Sequence, residues 1–199
     1  MEPTPSSPDV PIQVQDLAVQ CAQFVQKSTG VALDYTSDTL PLLDHYLRQV
    51  PREGGDVQAL VAAAAGAYFG EVVRRAFPCR WHAPVDDYGA WRIEFEHVFL
   101  HFNPVAFAHE AITASEVVKG GSGFGVLDQD LETVRAGLEA LGTVGEEDYF
   151  RLATRFEVLN TVVDRLTGKS AGDEDESVSV RYDEEAYRMA LGESEDRPS

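Results

Sequence analysis

Apolar residues recur along most of this chain at the three- and four-residue steps of an α-helix, interrupted once by a stretch in which they alternate. Val14, Leu17, Ala18, Cys21, Phe24 and Val25 form the first such run, which predicts a helix from Pro11 to Lys27 stopped by Gly30. Thr36, Ser37 and Asp38 offer capping oxygens for a second helix, whose face is Leu40, Leu43, Tyr46, Leu47 and Val50. Pro51 and Gly54-Gly55 end it. From Asp56 to Phe77 the pattern widens. Val57, Val61, Ala64, Tyr68 and Val72 make one stripe, and Leu60, Ala63 and Ala67 broaden it. A helix apolar around most of its circumference belongs inside the fold, so this one is expected at the centre.

The pattern then changes. Arg80 to Ala83, Trp91 to Glu96 and Val98 to Phe102 are β-prone and aromatic, with turn chemistry at Asp86-Asp87-Tyr88-Gly89. Glu96-His97 lacks the residues of a tight turn, which leaves an irregular hairpin or one long strand. Asn103-Pro104 starts another helix through Val105, Ala108 and Ile112. Lys119 to Gly125 is a glycine-rich connection. Leu127, Leu131, Val134, Leu138 and Leu141 then predict a helix ended by Gly142. Thr143-x-x-Glu146 is a capping box for a last long helix through Phe150, Ala153, Phe156, Leu159, Val163 and Leu166. The short link predicts that these two helices pack antiparallel. The expected fold is α+β: five to six helices around a small antiparallel sheet of two to three strands, with a long central buried helix and a C-terminal helical hairpin. Residues 1–10 read as a disordered arm, 11–170 as one domain, and 171–199 as a disordered acidic tail dispensable for folding.

Charge changes the picture most. The 199 residues carry 34 acidic and 16 basic side chains, a net of −18. The last 29 contribute 10 acidic and 3 basic residues, so both the domain and the tail are acidic. Phosphate backbones and anionic lipid would be repelled, which argues against nucleic-acid and membrane partners and permits a basic protein partner. No leader is expected from Met1-Glu2-Pro3-Thr4-Pro5, and Cys21 and Cys79 read as buried free thiols, so a cytoplasmic location is expected.

Leu33-Asp34-Tyr35, Thr39-Leu40-x-x-Leu43-Asp44, Gly66-x-Tyr68-x-Gly70-Glu71 with Arg74-Arg75, and Trp81 carry a resemblance. From Leu33 to Ile112 the chain resembles a family of uncharacterised bacterial domains. The resemblance implies a β-hairpin after the tryptophan and a proline-led helix at Asn103-Pro104-Val105. It implies no activity.

Candidate chemistry is sparse. Glu71 sits in the most apolar helix, where a carboxylate must be paired or protonated. Tyr68, Glu71, Arg75 and Trp81 form a candidate pocket. The structural alternative for Glu71 is an ion pair one turn away, or acceptance of the Trp81 indole N–H. His97 and His101 would lie roughly 13 Å apart on a continuous strand at about 3.3 Å per residue, too far to share a metal. Neither His82 and Glu94 nor His109 completes a ligand set, so no metal or cofactor is expected. Gly120 to Gly125 lacks the Lys-Ser/Thr of a phosphate loop and the closing glycine of a nucleophile elbow. In the tail, Val178, Val180, Tyr182, Tyr187, Met189 and Leu191 form an apolar island. Tyr182, Tyr187, Met189 and Leu191 are therefore expected to bind another protein. The functional expectation is a non-enzymatic acidic interaction or regulatory protein, an immunity-type inhibitor of a basic partner being one form. The alternative is a small enzyme using Glu71 and a histidine against the sheet.

Overall fold

Every residue of the central helix from Val61 to Val73 is buried, and the remaining elements are arranged around it. The computed structural model describes residues 10–52, 55–115, 123–140, 145–172 and 181–192. Helices α1 (Ile12–Thr29), α2 (Leu40–Leu47) and α3 (Gly55–Ala76) come first. By length and composition α3 could cross a bilayer, yet most of it is enclosed by the fold. Its first turn is the exception. Val57 and Leu60, expected on the buried stripe, are 63% and 47% exposed. The apolar surface of α3 is matched by α1 and by α4 (Pro104–Thr113), which both pack along it. Asn103 starts α4 as expected, its side-chain oxygen accepting from the N–H groups of Val105 and Ala106 at 2.8 and 3.0 Å.

Two glycines on α3 decide what can approach it. A Cβ on Gly66 would lie 2.6 Å from Val105 Cα, so the α4 backbone rests directly on the helix. A Cβ on Gly70, one turn later, would lie 2.2 Å from the Trp81 ring. Alanine at either position would force the partner away.

Trp81 belongs to an antiparallel sheet of order β1 (Cys79–His82), β2 (Arg92–Phe95), β3 (Leu100–Phe102), β4 (Gly125–Val126). Trp81, Ile93 and Phe102 lie in one row across it, on the face that meets the core. Strand alternation places Arg80, Glu94 and His101 in the opposite row. Two strand expectations are thereby settled. Residues 96–99 make a hairpin connection between β2 and β3, not a continuous strand. The sheet has a fourth strand beyond the two to three expected, because Gly125 and Val126, at the end of the glycine-rich stretch, pair with His101 and Leu100.

The outer face of the sheet is not left to solvent. Residues 181–192, expected to lie in a disordered tail, return to it and form α8 (Glu184–Ala190), capped by Asp183 at the Ala186 N–H. Tyr187 is fully buried and stacks on Phe99 with ring centroids 4.5 Å apart. Its hydroxyl accepts from the Leu100 N–H at 3.0 Å and reaches the carbonyls of Phe95 and Leu100 at 2.9 and 2.8 Å. The Tyr182 N–H donates to Glu96 O at 2.8 Å, and Arg80 donates to Tyr182 O at 2.8 Å. The acidic flanks suggested a solvated tail; the hairpin's unpaired backbone groups supply the partners that order it. Val178 and Val180 lie outside the described residues.

The last helices also depart from expectation in one respect. Helix α5 (Leu131–Ala140) packs on α7 (Leu152–Gly172), but a short helix, α6 (Glu146–Tyr149), intervenes. Thr143 of the expected capping box lies outside the described residues. The N-terminus of α7 is instead capped from another helix. Asp44 of α2 accepts from the N–H groups of Leu152 and Ala153 at 2.8 and 3.1 Å. Both cysteines are free and buried, and burial pushes the Cys21 thiol up to about 12 and raises that of Cys79 as well.

Because Tyr187 fills an apolar site and satisfies backbone groups together, its loss is predicted to be costly. Tyr187→Ala should destabilise the protein by about 3–5 kcal/mol in urea unfolding, and Tyr187→Phe by about 1–3 kcal/mol. A chain ending at Gly172 should melt at a lower temperature than the full chain. An unchanged unfolding midpoint for all three would show that the segment is not part of the folded core.

Candidate functional site

The residues grouped by sequence around Glu71 do meet, but as structure. Glu71 faces Arg74 across one turn, and Arg74 donates to both carboxylate oxygens, at 2.9 and 3.0 Å. The Trp81 indole N–H donates to Glu71 Oε1 at 2.8 Å. The two structural alternatives therefore coexist on one carboxylate. Tyr68 points the other way. Its hydroxyl accepts from the Tyr35 N–H at 2.7 Å, and the two rings stack at 4.7 Å. Arg75 lies over the far side of Tyr35, 4.0 Å from the ring centroid. Tyr35 is thus held at a φ of 63°, a left-handed conformation that a non-glycine residue avoids without such support. Burial pushes the Tyr68 hydroxyl up to about 12, so it remains protonated and neutral at ordinary pH.

The histidines do not join this cluster. Trp81 faces α3, whereas His82 and His101 project from the other face of the sheet. His101 packs edge-on against Phe99 and Tyr187. His97 is exposed in the hairpin connection and His109 is on α4. Among the described residues no group of three His, Cys, Asp or Glu side chains is arranged to hold a metal. Residues 120–122 of the glycine-rich segment lie outside those described.

Other buried charges, which the apolar pattern did not single out, are also internally matched. Glu94 is fully buried on the outer face of the sheet, between Arg80 at 2.8 Å and Arg92 at 2.7 Å. Glu110 of α4 pairs with Arg155 of α7 at 2.9 Å, both buried. The Arg155 guanidinium lies 4.5 Å from the Phe107 centroid and 4.2 Å from that of Tyr149. These arrangements join elements. Neither leaves its carboxylate without a cation.

The tail residues divide. Tyr187 and Tyr182 pack on the chain's own sheet, Tyr182 edge-on to Phe99 at 5.6 Å. Met189 is 76% exposed and Leu191 is at the surface. The docking island singled out for another protein is therefore used, through Tyr187, within the molecule.

Among the described residues, concavities lie away from Glu71. One is an open groove of about 560 Å³ between the segment Ser37, Asp38 and Pro41 and the first turns of α7. Thr154, Phe156 and Glu157 form its other wall, and Asp38 and Glu157 are both exposed. Another is a more enclosed cavity of about 120 Å³ on the far side of the α7 N-terminus, lined by Asp44, Arg48, Arg52 and Arg151 and by apolar walls. Burial raises the Asp44 carboxyl above the ordinary carboxylate range, and the two N–H groups at the start of α7 offset part of that rise. Nothing in the hydrophobic pattern flagged these surfaces, because each is made by residues more than 100 positions apart.

Comparison with protein-family models, with curated proteins and with solved structures finds no match to the chain.

The geometry makes Glu71 a structural residue, and that has a measurable consequence. Glu71→Gln keeps an acceptor for Trp81 but loses the charge facing Arg74, and is predicted to cost about 1–3 kcal/mol in urea unfolding. Glu71→Ala should cost about 3–5 kcal/mol, since it strands a partly buried cation. A glutamine variant with unchanged stability that had lost a binding or catalytic property would instead place Glu71 in a working site.

Proposed function

We propose that this is a non-enzymatic binding protein that takes a basic segment of a protein partner into the groove between α2 and α7. An immunity-type inhibitor of a basic partner is the form this most resembles. The observation that carries the reading is the groove itself. It is wider than the arginine-lined cavity, it presents Asp38 and Glu157, and no basic residue lines it. It lies on a chain of net charge −18, whose field would speed the approach of a cation and repel nucleic acid or anionic lipid. Phe156 and Pro41 give the groove an apolar floor against which the stem of a lysine or arginine can lie. The paired state of Glu71, Glu94 and Glu110 supports a binding role over a catalytic one. The two buried thiols suit a reducing, cytoplasmic setting. Kinship with the bacterial domains resembled by Leu33 to Ile112 is part of the same proposal. It draws support from Gly66, Gly70, Glu71 and Trp81, the motif residues that meet at the centre of the fold.

Any polycation will adhere to so acidic a protein, so the test compares two variants of equal charge. Asp38→Lys with Glu157→Lys reverses the groove; Glu132→Lys with Glu139→Lys reverses two exposed residues on α5. Affinity for a fluorescent lysine- and arginine-rich peptide is measured at low and physiological salt. The groove variant is expected to bind at least about tenfold more weakly than the native chain at both salts. The α5 variant should lose only about twofold, chiefly at low salt. Equal losses in both would reduce the interaction to bulk charge and refute the groove.

A further inference from the structure

In a chain where acidic residues outnumber basic ones by 34 to 16, three arginines line one small cavity. Arg48 follows α2, Arg52 lies four residues later, and Arg151 immediately precedes α7. They come together because Asp44 binds the α7 N-terminus to α2, which sets Arg151 beside the end of α2. Ala111, Ile112 and Phe150 close the cavity with apolar surface.

The cations are incompletely matched. Asp148 pairs with Arg151 and lies 3.9 Å from Arg48. It is half exposed and stands outside the cavity lining. Asp44 is the one acid in the wall, and both its oxygens are occupied by the N–H groups of α7. Arg52 has no carboxylate within 4 Å among the described residues. The Arg151 Nε is buried with no acceptor among the described residues. The Arg151 Nε and, among the described residues, the Arg52 guanidinium thus leave donors open to an anion in the lining of one cavity.

We propose that this cavity is a binding site for a phosphoryl group, as inorganic phosphate or as the phosphate of a small monoester. Arginine suits the role because its planar fork of donors matches oxyanions. Three guanidiniums, two from the segment after α2 and one from the start of α7, can each serve one of the three terminal oxygens of a phosphoryl group. A carboxylate offers two oxygens in one plane and would leave one arginine idle. At about 120 Å³ the cavity has room for one such group and is well below the roughly 300–1,000 Å³ of pockets that enclose a whole cofactor or nucleotide. The surrounding negative field would exclude large polyanions while a small ion enters. This site is separate from the acidic groove and stands or falls independently of it.

The test uses the full chain, with titration calorimetry and thermal melting in chloride buffers of matched ionic strength. Inorganic phosphate, phosphoserine and acetate are compared. Phosphate is expected to bind saturably and to raise the melting temperature, with acetate at least about tenfold weaker. Phosphoserine binding as tightly as phosphate would identify a monoester as the ligand; markedly weaker binding would identify the free ion. Arg52→Ala, at an exposed position with no carboxylate partner, should fold with an unchanged melting temperature in chloride and bind phosphate about tenfold more weakly. Arg52→Lys should recover part of the loss, keeping charge without the fork. The proposal is overturned if phosphate has no effect beyond chloride, if acetate matches phosphate, or if Arg52→Ala binds phosphate as the native chain does.

Discussion

The indole of Trp81 rests against the bare backbone of Gly70 with its N–H on Glu71, and this one contact seats the sheet on the central helix. It requires three things at neighbouring positions: no side chain at 70, a carboxylate at 71, and a cation to pair with that carboxylate, which Arg74 supplies. Gly66 extends the same bare surface one turn back and admits the α4 backbone. The sheet and α4 are therefore both located by the absence of atoms on α3. Close packing of this kind has little slack, because an interior at crystal-like density cannot absorb an added methyl without moving a backbone. Alanine, which fills most of the positions from Ala62 to Ala67, keeps the helix stable without taking up that space.

The second organising feature is the handling of charge. An acidic chain must prevent its own carboxylates from being buried unpaired. Glu71, Glu94 and Glu110 are each matched by arginine, and Asp44 by two backbone N–H groups. Arg74, Arg80, Arg92 and Arg155 are drawn inward for this purpose, which leaves fewer cations among the many surface acids. The fork of arginine suits the three glutamates better than the point charge of lysine, and arginine holds all three. Pairs of this type are weak sources of net stability, but they penalise alternatives strongly. Arg80–Glu94 and Arg155–Glu110 join different elements, and mispairing would strand a buried charge.

How much of this was legible follows from the range over which each signal acts. The helices, the centrality of α3 and the Asn103-Pro104 start were readable because periodicity and capping are local. The partners of Glu71 were readable because one lies a single turn away and the other follows soon after the same helix ends. Asp44 as the cap of α7 was not, since nothing near Asp44 reveals a helix start 108 positions on. The last strand was hidden for a related reason: two residues, Gly125 and Val126, are too few to show alternation. The C-terminal segment misled through composition. Its acidic flanks resemble a solvated tail, yet one tyrosine with a satisfied hydroxyl and a stacked ring, set on backbone groups the hairpin leaves open, outweighs the flanks. The aromatic island was noticed; that its partner would be Phe99 of the same chain could not be seen without the fold.

The functional surfaces gather at the place the sequence concealed best. Asp44 fixes the first turn of α7 against α2, and that turn supplies both concavities. Arg151, one residue before the helix, faces the cavity on one side; Ala153, Thr154, Phe156 and Glu157 face the groove on the other. The two surfaces have opposite local charge and share α2 and α7, with α4 closing the cavity alone. Since the capping carboxylate sits in the wall of the arginine cavity, the electrostatics of that cavity and the seating of α7 are not independent. Asp44 must stay ionised to accept both N–H groups fully, and the guanidiniums of Arg48 and Arg151 favour that state against the effect of burial. A single helix–helix junction, made by one side chain reaching across the chain, thus positions the acidic groove and the arginines together.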